Sequence, residues 1–347
     1  MPGKLYFTSS QKLSPRRHRD TEKTFLDFSI SLFSRCLRDS VVRTLSAFAW
    51  RPRKPHNHPV ATTAWQQRIR RAEHLAAQHP FAAEILAFYI HLARFQEGLH
   101  ERLRDSSDGV PSAVPSAASG QALSASSGQA EWASRPLSGQ QDAAATNTLL
   151  SSFPPFLSLV EEKAPAPLAG VAHELRNSDP QSWTDLFTEL WTHIDSPTHP
   201  QEFLVLAFLQ PYAEFARSQA NLELGGYTSL LCPFCNRKPA LGILRPQGDG
   251  GRRSLLCGVC LTEWEFRRLV CAGCGEEDNA KLPVYTATEL PHIRVECCDT
   301  CKTYIKCIDL TKNGLADPLV DELASVPLSL WAQEHGYAKL YPNLLGM

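Results

Sequence analysis

Cys232-Pro-Phe-Cys235, Cys257-Gly-Val-Cys260, Cys271-Ala-Gly-Cys274 and Cys298-Asp-Thr-Cys301 put four Cys-x-x-Cys pairs into residues 232–301. Two cysteines separated by two residues can turn both sulfurs toward one ion, and two such pairs complete a tetrahedral thiolate site. Eight ligands therefore read as two closed metal sites. About 21 residues separate Cys235 from Cys257, and about 23 separate Cys274 from Cys298. The first span contains Gly242, Gly248, Gly250 and Gly251, as a hairpin returning to its own site would. Sequential pairing places Cys232, Cys235, Cys257 and Cys260 around one ion and Cys271, Cys274, Cys298 and Cys301 around the other. An interleaved wrap, first pair with third, is the competing arrangement.

Each knuckle needs a tight turn that aims backbone N–H groups at the sulfurs. Gly258, Gly273 and Gly275 suit that turn, and Pro233 fixes the approach to the first pair. A site with four protein thiolates keeps no open position, so it acts as scaffold rather than as a water-activating centre. The donor set fits zinc or a single iron. Cys297 is a spare beside Cys298, Cys307 sits in an apolar strand and belongs to the core, and Cys36 lies far upstream.

With 347 residues, 43% of them hydrophobic, the chain can bury a sizeable core and suggests two domains. No compact apolar leader or bilayer-length apolar run is evident, and thiolates free to bind metal point to a reducing cytoplasm. The net charge of −1 hides an uneven distribution. Residues 1–58 carry 12 Lys/Arg against 4 Asp/Glu, whereas residues 227–310 carry 11 against 10. A nucleic-acid-binding ribbon normally shows a basic face, because phosphate neutralisation supplies most of its affinity. The balanced charge argues against nucleic acid as a partner.

Along the chain, residues 1–58 read as a basic, disordered extension; Phe25 to Trp50 is apolar at loosely helical spacing, as in a docking or membrane-surface helix. Residues 59–226 read as a helical domain. Trp65, Ile69, Ala72, Leu75 and Ala76 mark a helix that stops at His79-Pro80, and a second runs from Phe81 to about Arg104. Residues 106–147 lose all periodicity: Ser, Ala, Gly and Pro dominate, and Ser-Gly-Gln recurs at 119, 127 and 138. Such a segment has too little apolar surface to offset its ordering entropy, so it reads as a flexible insert. Further helices are expected over Phe153–Glu162, Leu168–Arg176, after Ser178-Asp179-Pro180, and after Thr198–Pro200, with a kink at Pro211. Residues 227–312 then read as short strands between knuckles, and residues 313–347 as two C-terminal helices ending on Gly336. The fold class is α+β: an all-helical N-terminal domain, two small four-cysteine β modules, and short C-terminal helices. No Walker loop, dinucleotide fingerprint or nucleophile elbow is present. His173-Glu174 lacks the second histidine of a metalloprotease helix, because Asn177 stands there. The chain offers no catalytic centre.

The knuckles with their flanks resemble the formate dehydrogenase accessory protein (FdhE) family. Cys232-Pro-Phe-Cys235 is followed by Pro239, and Cys260 runs into Thr262-Glu263-Trp264. Val270 to Gly275, Arg294 to Cys301 with Tyr304 to Lys306, and the tail Asp321 to Ala324, Leu330 to Ala332 and Asn343 to Gly346 share the likeness, as does Trp65 to Ala72. It covers about residues 60–347 apart from the insert. The long insert, the basic extension and the doubled Cys297-Cys298 depart from the family pattern.

The resemblance implies a helical N-terminal part joined to two rubredoxin-like or zinc-ribbon β modules. It also implies a non-enzymatic, cytoplasmic assembly factor required for active formate dehydrogenase, contacting that enzyme's catalytic subunit during maturation, with two metal ions on the eight cysteines and no stable membrane insertion. Asp299, Tyr304 and Lys306, beside the last knuckle, are candidates for a partner-contact patch or for ordinary strand structure. Two other readings of the knuckles stand beside this one: a zinc-ribbon nucleic-acid-binding protein and an iron-containing redox protein.

Overall fold

The computed structural model describes residues 7–9, 63–107, 143–192, 196–220, 222, 224–248 and 250–346. The apolar stretch Phe25–Trp50 of the basic extension, Cys36 and most of the Ser/Ala-rich insert lie outside these residues. Among the described residues, six α-helices precede residue 220: α1 (Ala64–Gln78), α2 (Ala83–Ser107), α3 (Ala143–Lys163), α4 (Ala166–Arg176), α5 (Pro180–Thr192) and α6 (Pro200–Gln219). Thr63 caps α1, its hydroxyl oxygen accepting the Gln66 N–H at 3.1 Å. Trp65, Ile69, Ala72 and Leu75 form the buried stripe of that helix.

Helix α3 is twice the length the sequence suggests. Its first turns, Ala-Ala-Ala-Thr-Asn, carry no large apolar residue to mark a period, yet Ala143–Asn147 belongs to the helix rather than to the insert, and Pro154 and Pro155 lie within it. Two interior prolines remove backbone donors and disfavour a helix. Burial outweighs them: Leu149, Phe153, Phe156, Leu157 and Val160 are all at most 1% exposed. Phe153 meets Phe187 of α5 and Phe208 of α6 at ring-centroid distances of 4.8 Å each. Helix α6 is continuous through Pro211, and the Glu202 carboxylate accepts the His199 N–H at 3.0 Å at its start.

The knuckle half forms one mixed sheet from β1 (Phe7–Ser9), β2 (Leu241–Gln247), β3 (Gly250–Leu256), β4 (Glu263–Glu265), β5 (Val284–Ala287), β6 (Leu290–Cys297), β7 (Thr303–Asp309) and β8 (Ala338–Lys339). The strand order is β1-β5-β6-β7-β2-β3-β4, with β8 beside β7. Two copies of one unit are visible in this order: knuckle, two antiparallel strands, knuckle, third strand. The copies join where β7 and β2 pair in parallel, Leu241 opposite Lys306 and Leu244 opposite Asp309. The two small modules expected from the knuckles are thus halves of one continuous sheet. Strand β1, from the stretch read as an extension, pairs antiparallel with β5 at the sheet's edge.

Helices α7 (Pro318–Ala324) and α8 (Val326–Glu334) follow. Asp317 caps α7 by accepting from the N–H groups of Leu319 and Val320. Leu328 and Ala332 of α8 pack with Ile293, Val295, Tyr304 and Ile308 of the sheet. Helix α7 also docks on α1: the Arg71 guanidinium straddles the Asp321 carboxylate at 2.9 and 2.6 Å, and His292 Nε2 lies 2.7 Å from the same carboxylate. Within one apolar core, residues of the helical layer meet Cys232, Cys235, Cys257, Cys260, Leu255 and Trp264 of the sheet half.

Candidate metal centres

The eight knuckle sulfurs come together in two groups, Cys232/Cys235/Cys257/Cys260 and Cys271/Cys274/Cys298/Cys301, each with all sulfurs within 4.8 Å of one another. The grouping is sequential, not interleaved. All eight are free cysteines. In the first group Cys232 and Cys260 lie 3.4 Å apart, Cys235 and Cys257 3.4 Å, and Cys235 and Cys260 3.6 Å. In the second, the Cys271–Cys301 and Cys274–Cys298 separations are both 3.7 Å. A tetrahedral zinc with Zn–S bonds of about 2.3 Å needs sulfurs roughly 3.8 Å apart. Both groups fit a four-thiolate ion, and each could hold one.

One backbone device builds all four knuckles. The N–H of the first cysteine donates to the carbonyl five residues on: Cys232 to Arg237, Cys257 to Thr262, Cys271 to Glu276 and Cys298 to Thr303, at 2.8 to 3.0 Å. The residue after the second cysteine takes the left-handed conformation: Asn236 (φ 58°), Leu261 (φ 55°), Gly275 (φ 79°) and Lys302 (φ 55°). Only Gly275 of the three expected turn glycines serves in this way. Gly258 and Gly273 are required by packing: a Cβ on Gly258 would stand 2.8 Å from the Ala240 Cβ, and one on Gly273 would stand 3.0 Å from both the Leu340 Cδ1 and the Thr303 Oγ1. Backbone N–H groups of Phe234, Val259 and Gly273 approach Cys232, Cys257 and Cys271 at 3.4, 3.5 and 3.3 Å. These contacts stabilise sulfur charge.

Two threonines complete the repeat. Thr262 Oγ1 lies 3.1 Å from Cys260 Sγ, and Thr303 Oγ1 lies 3.0 Å from Cys301 Sγ. A hydroxyl here donates to a thiolate. Burial alone pushes the Cys301 thiol up, but the Thr303 hydroxyl and N–H outweigh it and hold the group at about 7. In the first group, burial drives Cys232 and Cys260 well above the ordinary thiol range. Four thiolates in that interior therefore need a cation among them.

The surroundings of the two groups differ. Cys232, Cys235, Cys257 and Cys260 are at most 5% exposed. Gln210 of α6 donates to the Gly258 carbonyl at 2.9 Å, and Gln96 of α2 donates to the Gln210 side chain at 3.2 Å. Arg237, 2% exposed, donates through its guanidinium to the carbonyls of Leu190 and Trp191 near the C-terminal end of α5. A cation there complements the helix dipole. In the second group Cys274 is exposed and Cys301 half-buried. Gln96, Gln210, Arg237 and Thr303 did not stand out in the sequence, and Thr262 did so only as a flank of its knuckle. The paired Cys-x-x-Cys-x-Thr strings at 257–262 and 298–303 are the signal that could have marked the threonines.

Of the three partner-contact candidates, only Asp299 is exposed. Tyr304 and Lys306 are each 1% exposed. Their strand packs beneath α7 and α8, where Lys306 pairs with Glu322 at 2.8 Å. The three do not form one surface. Cys297 and Cys307 are both buried in the sheet, and a Cβ on Gly242 would come 3.2 Å from the Cys307 sulfur.

The comparisons with known proteins follow the same boundaries. Residues 231–268 match the family described as FdhE, central domain, and residues 269–345 match FdhE, C-terminal domain. The junction falls between the two structural repeats. A protein named FdhE homolog from Aquifex aeolicus is 32% identical over 198 residues, 57% of this chain and 70% of that protein. Another from Pseudomonas aeruginosa is 37% identical over 120 residues, 33% of this chain and 39% of that protein. Protein FdhE of Escherichia coli is 28% identical over 195 residues, 53% of this chain and 62% of that protein. The crystal structure of the FdhE protein from Pseudomonas aeruginosa superposes with a TM-score of 0.55 at 24% identity, covering 84% of this chain and 98% of that one, a likeness of fold. With the matched repeats and the extent of the Aquifex relative covered, the chain belongs to the FdhE family.

Proposed function

We propose that this protein is an accessory factor for formate dehydrogenase, acting without catalysis of its own and binding that enzyme's catalytic subunit in the cytoplasm during maturation. Family membership supports the link to the dehydrogenase. The observation that carries the non-catalytic reading is the pair of all-cysteine groups. Four thiolates saturate a tetrahedral ion and leave no position for water or substrate. The metal would supply folding energy and a stiff sheet, and a preorganised surface lowers the ordering cost of binding a client. Cys232, Cys235, Cys257 and Cys260 hold one ion and Cys271, Cys274, Cys298 and Cys301 the other. No helix among the described residues is long and apolar enough to cross a membrane.

The test is co-purification of the tagged protein from cells expressing the dehydrogenase, with dehydrogenase activity measured in cells lacking this chain. Recovery of the catalytic subunit and loss of activity that the wild-type chain restores support the proposal. Full dehydrogenase activity in its absence contradicts it.

A further inference from the structure

The two four-cysteine groups share one backbone design but not one environment. Around the first, every sulfur is buried and the knuckles are bonded to the helical layer by Gln210 and Arg237. Reaching those sulfurs requires parting α5 and α6 from the sheet, an opening that disrupts the core shared by both halves. Around the second, Cys274 faces solvent and Cys301 is half-covered. The chain beside it is exposed from Glu277 to Lys281 and at Asp299 and Thr300. Cys271 and Cys298 are at most 8% exposed, and the side that Cys274 faces is closed by a set of surface hydrogen bonds. Thr300 Oγ1 donates to Glu276 at 2.6 Å, the Asp299 N–H donates to the Lys281 carbonyl at 2.8 Å, and Lys302 pairs with Asp299 at 2.7 Å. Exposed polar contacts of this kind open locally at far lower free energy than a packed core.

We infer that the second group is an exchange site for thiophilic cations, taking up and releasing a soft metal ion through the Cys274 side, while the first group stays closed and fastens the sheet to the helices. With an ion bound, Cys274 would be the ligand that a thiol or chelator replaces first, the freed thiolate taking its proton from the incoming thiol or from water. The four cysteines keep their oxidation state throughout, so no electron acceptor is needed. The inference rests on the thiolate ligation proposed above. It goes further in assigning the two ions different roles.

The experiment uses the full chain loaded with two zinc ions and challenged with EDTA in the presence of N-ethylmaleimide. Native mass spectrometry counts ions, peptide mapping locates alkylation, and circular dichroism follows the helices. A one-ion species is expected, with Cys271, Cys274, Cys298 and Cys301 alkylated at least about tenfold faster than the first group and with helical signal retained, as local opening requires. Cys274→Ser should likewise lose one ion and keep its helical signal. Simultaneous loss of both ions, or earlier labelling of Cys232, Cys235, Cys257 and Cys260, overturns the inference. A chain that takes up no zinc overturns the ligation reading itself and the inference with it.

Discussion

Arg253 of β3 and Glu296 of β6 form an ion pair at 2.6 Å across the two strands, β2 and β7, that lie between them in the sheet. The pair joins the first knuckle repeat to the second. The Arg253 side chain is 2% exposed and that of Glu296 16%, and the guanidinium also donates to the Arg267 carbonyl at 3.0 Å. A buried charge without its partner is costly. Glu296→Ala should therefore destabilise the protein by about 3 kcal/mol or more, whereas the double replacement Arg253→Met with Glu296→Leu should cost markedly less. Thermal unfolding of the single and double variants checks this. Equal losses in both would mean the pair's packing, not its charge, matters.

Gly258 permits the close approach of the second knuckle to Ala240. Gly258→Ala places a Cβ at 2.8 Å from the Ala240 Cβ, an overpacking expected to cost about 1–3 kcal/mol. Gly170, whose added Cβ would meet nothing within 4 Å, is the control: Gly170→Ala within α4 should stabilise by roughly 0.5–1 kcal/mol. Melting temperatures moving in opposite directions would bear this out.

Lys302 occupies the left-handed position of the fourth knuckle at φ 55°. An L side chain there costs on the order of 1–2 kcal/mol. Lys302→Gly should raise the melting temperature, even though it removes the exposed pairing with Asp299, because such surface pairs contribute little. A lower melting temperature would show that the lysine side chain is needed at the second site.

Glu322 is buried between Lys306 and Lys339 and also accepts from Asn343 at 2.8 Å. Burial alone would push its carboxyl up, but the two lysines hold it at about 2, below its ordinary 4.5. A carboxyl depressed in the folded state contributes stability above its unfolded value and loses it as pH falls. Stability should therefore decline between about pH 4.5 and pH 2, and Glu322→Gln should flatten that limb while lowering stability at neutral pH. A pH series of unfolding midpoints for the two proteins provides the check.

The metal half was legible because ligand chemistry fixes spacing. Cys-x-x-Cys has few structural meanings, so the knuckles, their sequential grouping and the strands between them could be read from residue order. That the two repeats fuse was not legible: parallel pairing of β2 with β7 is a long-range contact with no local mark. For Tyr304 and Lys306 the sequence leaves partner contact and ordinary strand structure equally open, for a related reason. A lysine in a strand reads as exposed, and only the descent of α7 and α8 onto the sheet, with Glu322 in place, buries it. In the helical half, the apolar pattern and the prolines between runs found α1, α2, α4, α5 and α6. That pattern shortened α3 because Pro154-Pro155 is a local signal against helix and the entry Ala143–Asn147 has no large apolar residue to mark a period; the aromatic core of Phe153, Phe156, Phe187 and Phe208 that overrides the prolines is tertiary.

The account depends on both sulfur groups holding an ion with nothing but cysteine around it. Metal analysis with X-ray absorption spectroscopy on the full chain tests this most directly. The account predicts two zinc or iron ions per chain, each with four sulfur neighbours at about 2.3 Å. One ion per chain, or an average shell containing oxygen or nitrogen donors, would contradict it.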